Sequence, residues 1–512
     1  MNAADAVAET ADATRTTEAR TTEARTTETR YVVPGSPTYS VVDELIVREP
    51  LVVGPGTSVG EVARRMTEAD LPVAVVRIGD GCFGLVTDAM LRARVLVAGR
   101  PSTTPVRQVM GTEPPTVVLG DSAAEALMLM LDRDAEFLLV TDREGELRGV
   151  VGPRDFAISP SAAGVSLHEQ LRRARTADEL VAGAVRVPGM LGDLLSWGLA
   201  SGKVIAVYST FLDTITRRAI GLVFAQHPEL TVDAFTWLSL GSNGRREAVP
   251  SSDVDSAVAF DDAVSPEAIA AYRAAFGEVY EVLARAGLSA DGHGATAEHA
   301  PFARTNADWR ATGAQWLAAP AEHNGAMMTS LLVDARPIHG DPGLPAVTRV
   351  VGDLRGHPGT MRLLLQESLS RRAKQPAGRG ILARRAETFD IKAHALLPVV
   401  NLARWAALSV GSAVLPTTER LQAAAGSAML PGEQARVLIE VFEVLQRLRL
   451  RHQLRQLRAG RRPSDVLLRD EVSPIDRSVI RQAVREIAAA QRRMDNVSHY
   501  VDIEEWTSPE PA

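Results

Sequence analysis

Residues 237–260, WLSLGSNGRREAVPSSDVDSAVAF, constrain this chain more tightly than any other stretch. An apolar run from Trp237 ends at Gly241-Ser242, a polar loop follows, and a second strand-like run opens on Asp253-Val254-Asp255. Strand neighbours two apart share a face, so the carboxylates of Asp253 and Asp255 project the same way. Like charges at a strand end repel, and neither has a local cation in the sequence. The pair makes sense around magnesium, a hard cation that takes carboxylate oxygens, waters and substrate phosphates. Gly241 and Gly244 remove side chains where backbone N–H groups must approach a phosphate, and Ser242 adds a short donor. The combination predicts a metal–triphosphate site. Arg245 and Arg246 are placed to steady the phosphates, either of them otherwise pairing with Glu247, and Glu247 reads as a structural residue fixing the loop.

The order apolar run, Gly-Ser, polar loop, Asp-x-Asp resembles the signature of the polymerase-β-type nucleotidyltransferase superfamily. More narrowly, GSNGRRE followed by SDVD resembles the nucleotidyltransferases that carry CBS domains, relatives of the PII-protein uridylyltransferase. The resemblance implies transfer of a nucleoside monophosphate from a nucleoside triphosphate, UTP or ATP, to an acceptor hydroxyl on a protein, with magnesium or manganese as cofactor. It also implies a third carboxylate on a neighbouring strand, which helps to hold the metal and takes the proton of the attacking hydroxyl. Asp334, closing the strand-like run Ser330–Val333, is the candidate for both roles; His339 and Asp341 lie close, and an ion pair with Arg336 is the structural alternative.

A chain of 512 residues is too long for one core, and roughly three or four domains are expected. The remainder of the sequence supplies them. Residues 1–30 contain TTEAR twice and TTETR once, with almost no large apolar side chain, and are expected to be disordered. Over 38–158 the chain repeats itself: GTSVGEVARRM from Gly56 answers GDSAAEALMLM from Gly120, each a cap before an amphipathic helix and each followed by two β-rich runs. This resembles a tandem CBS pair, a module that binds adenine nucleotides between its halves and can pair into a homodimer. The first copy keeps Thr87 at the hydroxyl position but has Met90 where a ribose-binding Asp would fall. The second keeps Asp155 but has Gly152 at the hydroxyl position.

Residues 160–228 read as a helical connector, with Pro188-Gly189 as a break. The nucleotidyltransferase domain is expected over 229–352, its first strand FTWLSL and a helix from Tyr272 to Gly287. Residues 360–497 hold several amphipathic helices joined by short loops, hence an antiparallel bundle. DIK, LARW, TTERL and RLRLRHQL in it resemble the substrate-binding helical domain of the same family. One long helix gathers Arg447, Arg449, Arg451, Arg455 and Arg458; most are expected on a solvated face, one or two in the cleft. The fold class is thus multidomain α+β: a tandem CBS pair, a polymerase-β-type core and a C-terminal helical bundle.

A net charge of −7 gives no reason to expect nucleic-acid binding. A lone cysteine, Cys82, excludes an intramolecular disulfide framework and a multi-cysteine zinc site. No apolar run reaches membrane-spanning length and no signal-peptide pattern opens the chain, so a cytoplasmic protein without membrane contact is expected. The competing reading is a regulatory protein that senses nucleotides without turning them over.

Overall fold

The computed structural model describes residues 41–506 except 47, 80–81, 122, 134, 153–154, 156–161, 197–198, 291–293, 323, 342, 344–350, 375–387 and 501–505. The tail expected over 1–30, and the ends of the repeat range at 38–40 and 156–158, lie outside the described residues.

Both repeats fold alike. In the first, β1 (Val52–Val53), α1 (Val59–Glu68), β2 (Val73–Gly79) and β3 (Cys82–Thr87) are followed by β4 (Gly111–Thr112), giving the sheet order β1-β2-β3-β4. Ser58 starts α1, its Oγ accepting from Glu61 N at 3.3 Å. The second copy runs β5 (Thr116–Val118), α2 (Ala123–Asp132), β6 (Leu138–Thr141), β7 (Leu147–Val151) in the order β5-β6-β7. In each, the strand before the helix pairs parallel with the strand after it, which then pairs antiparallel with the next. The two sheets meet through Val73, Val75, Phe83 and Leu85 on one side and Leu139 on the other.

Four helices follow: α3 (Ala162–Arg173), α4 (Ala177–Ala184), α5 (Val187–Ser196) and α6 (Ser201–Phe224). Buried residues occur on every side of α6 from Val204 to Phe224, as in a helix enclosed by protein. A single core joins Leu127 of the second repeat, Phe211 and Phe224 of α6, and Phe235 and Phe276 beyond it. The stretch read as a connector is therefore a wall of the next domain.

That domain is a four-stranded sheet of order β10-β9-β8-β11, with β8 Phe235–Ser239, β9 Ser256–Phe260, β10 Ala303–Thr305 and β11 Arg336–His339. β8 and β9 pair antiparallel from Phe235 opposite Phe260 to Ser239 opposite Ser256. One face carries Phe235, Trp237, Val258 and Phe260 against Phe276 of α7 (Pro266–Arg285). The other carries Leu238, Leu240, Ala257 and Ala259 against Trp309 and Trp316 of α8 (Asn306–Ala318) and Leu332 of α9 (Gly325–Leu332). Trp309 donates its indole N–H to Val258 O at 2.9 Å, tying α8 to the central strand.

Two expectations are corrected here. The second strand begins at Ser256, so Asp253-Val254-Asp255 lies just ahead of it. Ser330–Val333 is helical rather than extended: Gly325, Thr329 and Leu332, spaced four and three apart, are buried on one side of α9. A short apolar run reads the same in either period, and the tertiary packing decided it.

The C-terminal region consists of α10 (Pro358–Ser370), α11 (Leu397–Ser409), α12 (Thr417–Ala424), α13 (Gly432–Arg458) and α14 (Pro474–Tyr500) around a second core containing Trp405, Leu445, Ile487 and Trp506. A two-stranded ribbon, β12 (Thr388–Asp390) with β13 (Val466–Leu468), is an addition that the helical pattern hid. Among the described residues no helix is long and apolar enough to cross a membrane. The protein is a multidomain α+β chain.

Candidate active site

The polar loop leaves β8 through one helical turn, Gly241–Gly244. Gly241 adopts φ +55°, a conformation open to glycine at little cost, and a Cβ there would stand 2.8 Å from Asp255 Oδ2. The turn's backbone is thereby laid directly against a carboxylate. At Gly244 a Cβ would meet Asp334 O at 1.9 Å and Ser239 O at 2.8 Å, so a side chain is excluded there too, by protein rather than by a ligand. The turn's own hydrogen bonds begin with Gly244 N to Leu240 O at 3.0 Å, so the amides of Gly241, Ser242 and Asn243 are not consumed in it. Ser242 is half-buried at this end.

Asp253 and Asp255 are both half-buried, with Val254 between them buried at 4% exposure. The alternation expected of a strand thus persists ahead of β9 and sends the two carboxylates to one side. Leu240 N donates to Asp255 O at 3.0 Å, and Asn243 Nδ2 donates to Asp253 O at 2.7 Å. Turn and acid segment are one unit. Among the described residues no three His, Cys, Asp or Glu side chains form a ready metal cluster. The donor set that fits a hard cation is the Asp253–Asp255 pair, with a glycine backbone admitting substrate oxygens beside it.

Asp334 is elsewhere in kind. It is fully buried and accepts from three arginines: Arg245 Nη1 to Oδ2, Arg404 Nη2 to Oδ2 at 2.6 Å and Nε to Oδ1 at 3.3 Å, and Arg420 Nη1 to Oδ1 at 2.6 Å. Burial alone would raise its pKa, but the combined pull of Arg404, Arg245 and Arg420 holds it far below the usual carboxylate range. A carboxylate so weakly basic and so fully occupied has neither a lone pair for a metal nor affinity for a substrate proton. The assignment of Asp334 as third metal ligand and base is corrected to an ionic hub joining the turn to the helical bundle. Nor does it pair with Arg336, which instead grips Asp213 of α6 (2.8 and 3.0 Å) and donates to Gly244 O (3.1 Å) and Asn243 O (3.0 Å).

The two loop arginines diverge. Arg245 is buried at 6% exposure, with Nε on Glu247 Oε2 at 2.8 Å and Nη1 on Asp334, and is spent inside the protein rather than offered to phosphate. Burial would lower its pKa, yet Asp334 and Glu247 outweigh this and raise it. Arg246 sits at φ +58° and pairs with Asp132 at the end of α2 in the second repeat. Arg245 is therefore removed from the phosphate-binding set, whereas Arg246 is held by an exposed ion pair and lines the neighbouring cleft. Glu247 fixes the loop to the bundle, its Oε1 accepting from Thr417 N at 2.5 Å. A cleft of about 510 Å³ where these parts meet is lined by Asp132, Lys203, Arg246, Phe442 and Gln446, among others.

In the repeat pair, Thr87 is 5% exposed and caps a turn, its Oγ1 accepting from Met90 N at 3.2 Å. Asp155 likewise caps Gly152 N at 2.7 Å, and a Cβ at Gly152 would lie 2.7 Å from the Phe137 ring. Asp213, Arg404 and Arg420 were not nominated from sequence, and Arg336 was named only as a partner for Asp334. An acid inside the apolar run of α6 was the one local signal.

The family models follow the same division. "CBS domain" matches residues 42–96 and 106–159, "Putative nucleotidyltransferase DUF294" matches 185–323, and "Putative nucleotidyltransferase substrate binding domain" matches 360–497. The chain belongs to the family of CBS-domain proteins that carry this nucleotidyltransferase domain with its C-terminal substrate-binding domain. The nucleotidyltransferase match starts at 185, inside the helices between repeat and sheet, in keeping with their shared core. "CBS domain-containing protein CBSCBSPB1" of Arabidopsis thaliana is 35% identical over 102 residues, 20% of this chain, and the match spans 19% of that relative's length. Among solved structures, an uncharacterized conserved protein from Pyrococcus horikoshii is 27% identical, covering 24% of this chain and 93% of that one at a TM-score of 0.23. The CBS domain protein PAE2072 from Pyrobaculum aerophilum, complexed with AMP, is 21% identical, covering 24% and 95% at a TM-score of 0.23.

Proposed function

We propose that the chain is a magnesium- or manganese-dependent nucleotidyltransferase that moves a nucleoside monophosphate from a nucleoside triphosphate to a hydroxyl on a protein. The observation that carries this reading is the Gly241–Asp255 contact, 2.8 Å from a would-be Cβ to Oδ2, which lays unshielded backbone against one acid of the pair. A metal ion, when bound, neutralises triphosphate charge and polarises the phosphorus under attack. Asp253 and Asp255 would hold it from the protein side. The amides of Gly241, Ser242 and Asn243, with the Ser242 hydroxyl, would orient the outer phosphates. The acceptor hydroxyl's oxygen would then bond to the α-phosphorus as the bond to diphosphate breaks, diphosphate leaving and the hydroxyl proton passing to solvent water. Most of the rate gain comes from in-line positioning and charge neutralisation.

The protein acceptor and the choice of UTP or ATP follow from likeness to the PII-protein uridylyltransferase, which rests on motif and fold. Adenine-nucleotide control through the CBS pair, in a cytoplasmic homodimer, completes the proposal. A nucleotide using Thr87 or Asp155 has to compete with the Met90 and Gly152 amides that those side chains already cap.

Thermal unfolding with each nucleoside triphosphate, with and without magnesium, tests the reading in wild type and in Asp253→Ala/Asp255→Ala. A ligand at a hundredfold excess over its Kd stabilises the folded state by about 2.7 kcal/mol. The expected result is a magnesium-dependent shift that the double variant loses. A shift of equal size in the double variant would move the ligand to the CBS pair and give first place to a nucleotide sensor without turnover.

A further inference from the structure

The segment that carries Asp253 lies outside the sheet, since β9 starts only at Ser256. Asp255 still borrows order from the ladder through Leu240 N, and Val254 N donates to Ser289 O at 2.9 Å. Asp253 is farther out: Ser252 beside it donates its amide to Val249 O at 2.7 Å and accepts at Oγ from Val249 N at 3.0 Å, and Ser251 ahead of it is held from a different domain. Gln453 of α13, with no exposed surface, presents both ends of its amide to Ser251, two residues ahead of Asp253. Its Oε1 accepts from Ser251 N at 3.0 Å, and its Nε2 donates to Ser251 Oγ at 2.6 Å and to Asp465 Oδ1 at 2.6 Å. Ser251 Oγ in turn donates to Asp465 Oδ1 at 3.1 Å. Arg449, 4% exposed, closes the network with a two-pronged grip on Asp465, Nε to Oδ1 at 2.6 Å and Nη2 to Oδ2 at 2.8 Å. Arg449 is therefore not a cleft-facing phosphate ligand.

We infer that Gln453, Asp465 and Arg449 of the C-terminal domain are positioning residues that set where the Asp253 carboxylate stands, through the backbone and hydroxyl of Ser251. The inference rests on the proposed nucleotidyl transfer for its kinetic consequence but not for its structural one. One residue, Ser252, separates Ser251 from Asp253, and the Asn243 amide holds Asp253 O from the other side at 2.7 Å. These two contacts act beside the Ser252–Val249 turn and the Val254 N to Ser289 O bond, and losing the Ser251 anchor loosens the leading end of the segment. A fully satisfied buried network is the kind that specifies a unique arrangement, and a site misplaced by about 1 Å loses on the order of a hundredfold in rate. The domain assigned to substrate binding thus also has a share in assembling the metal-facing acids.

The test compares wild type, Ser251→Ala and Gln453→Leu in the full chain. Ser251→Ala removes one hydroxyl and keeps the amide, so it should fold even where Gln453→Leu does not. The measurements are the melting temperature, kcat, KM, the magnesium concentration giving half-maximal rate, and hydrogen exchange of the amides of residues 251–255. The expected result is a fall in kcat of roughly tenfold to a hundredfold with a raised magnesium requirement, a smaller change in the triphosphate KM, and faster exchange confined to 251–255. Unchanged kcat and magnesium requirement in a folded variant, with only a lower melting temperature, would overturn the positioning role. If wild type itself shows no magnesium-dependent turnover, the transferase reading fails; exchange then decides alone, and unchanged protection of 251–255 in both variants would sink the inference.

Discussion

Asp255→Asn is expected to abolish the proposed nucleotidyl transfer, by on the order of a thousandfold or more, without lowering the melting temperature by more than a few degrees. The two halves of this expectation have separate causes. Asn matches Asp in shape and the residue is half-buried at a strand end, so the substitution opens no cavity and breaks no ladder bond. It removes one of two negative charges that would face a cation, in a site where, on the proposed mechanism, charge neutralisation supplies most of the catalysis. Diphosphate release measured with each nucleoside triphosphate, alongside a thermal melt, checks both. Wild-type release in Asp255→Asn would end the proposal.

Asp334→Asn has the opposite profile: a large loss of stability, of about 3–5 kcal/mol, corresponding to a fall in melting temperature on the order of 10 °C. Three buried guanidinium groups converge on this carboxylate, and removing its charge leaves them repelling one another out of reach of water. The pH dependence has a definite sign. The carboxyl's pKa is lowered in the folded state, so its contribution is fully present at neutral pH, above the ordinary value near 4, and is lost as pH falls below that. The gap in stability between wild type and Asp334→Asn should accordingly narrow as pH falls below about 4. A gap as wide at pH 3 as at pH 7, followed by chemical denaturation, would show that packing rather than charge is responsible.

These two aspartates show what a local pattern can and cannot carry. Gly241, Asp253 and Asp255 form a constellation complete within fifteen residues, so spacing alone brings them together, and the doubled GxSxxE pattern announces the repeat in the same way. Asp334 owes its character to residues at positions 245, 404 and 420, and nothing adjacent to it in the chain registers their approach. Arg245 and Arg246 are a sharper case. Side by side in sequence they look interchangeable, yet the left-handed backbone at Arg246 sends one into the bundle interface and the other to the second repeat. Sequence periodicity also misread the end of α9 as a strand, because a run as short as Ser330–Val333 fits a strand as well as one helical turn.

The hub at Asp334 bears on the order in which the molecule is made. Its carboxylate and Arg245 leave the ribosome well ahead of Arg404 and Arg420, which arrive only with α11 and α12. Domains commonly fold as they are synthesised, N-terminal first. Here the nucleotidyltransferase sheet can form early, but the charge beside its glycine turn stays half-compensated until the bundle is complete. A fragment ending at residue 352 would contain every nominated metal ligand and still lack two of the three cations that seat the turn. Synthesis of the C-terminal domain is thus the step that finishes the candidate active site, and a partly made chain carries the acids without the frame that aims them.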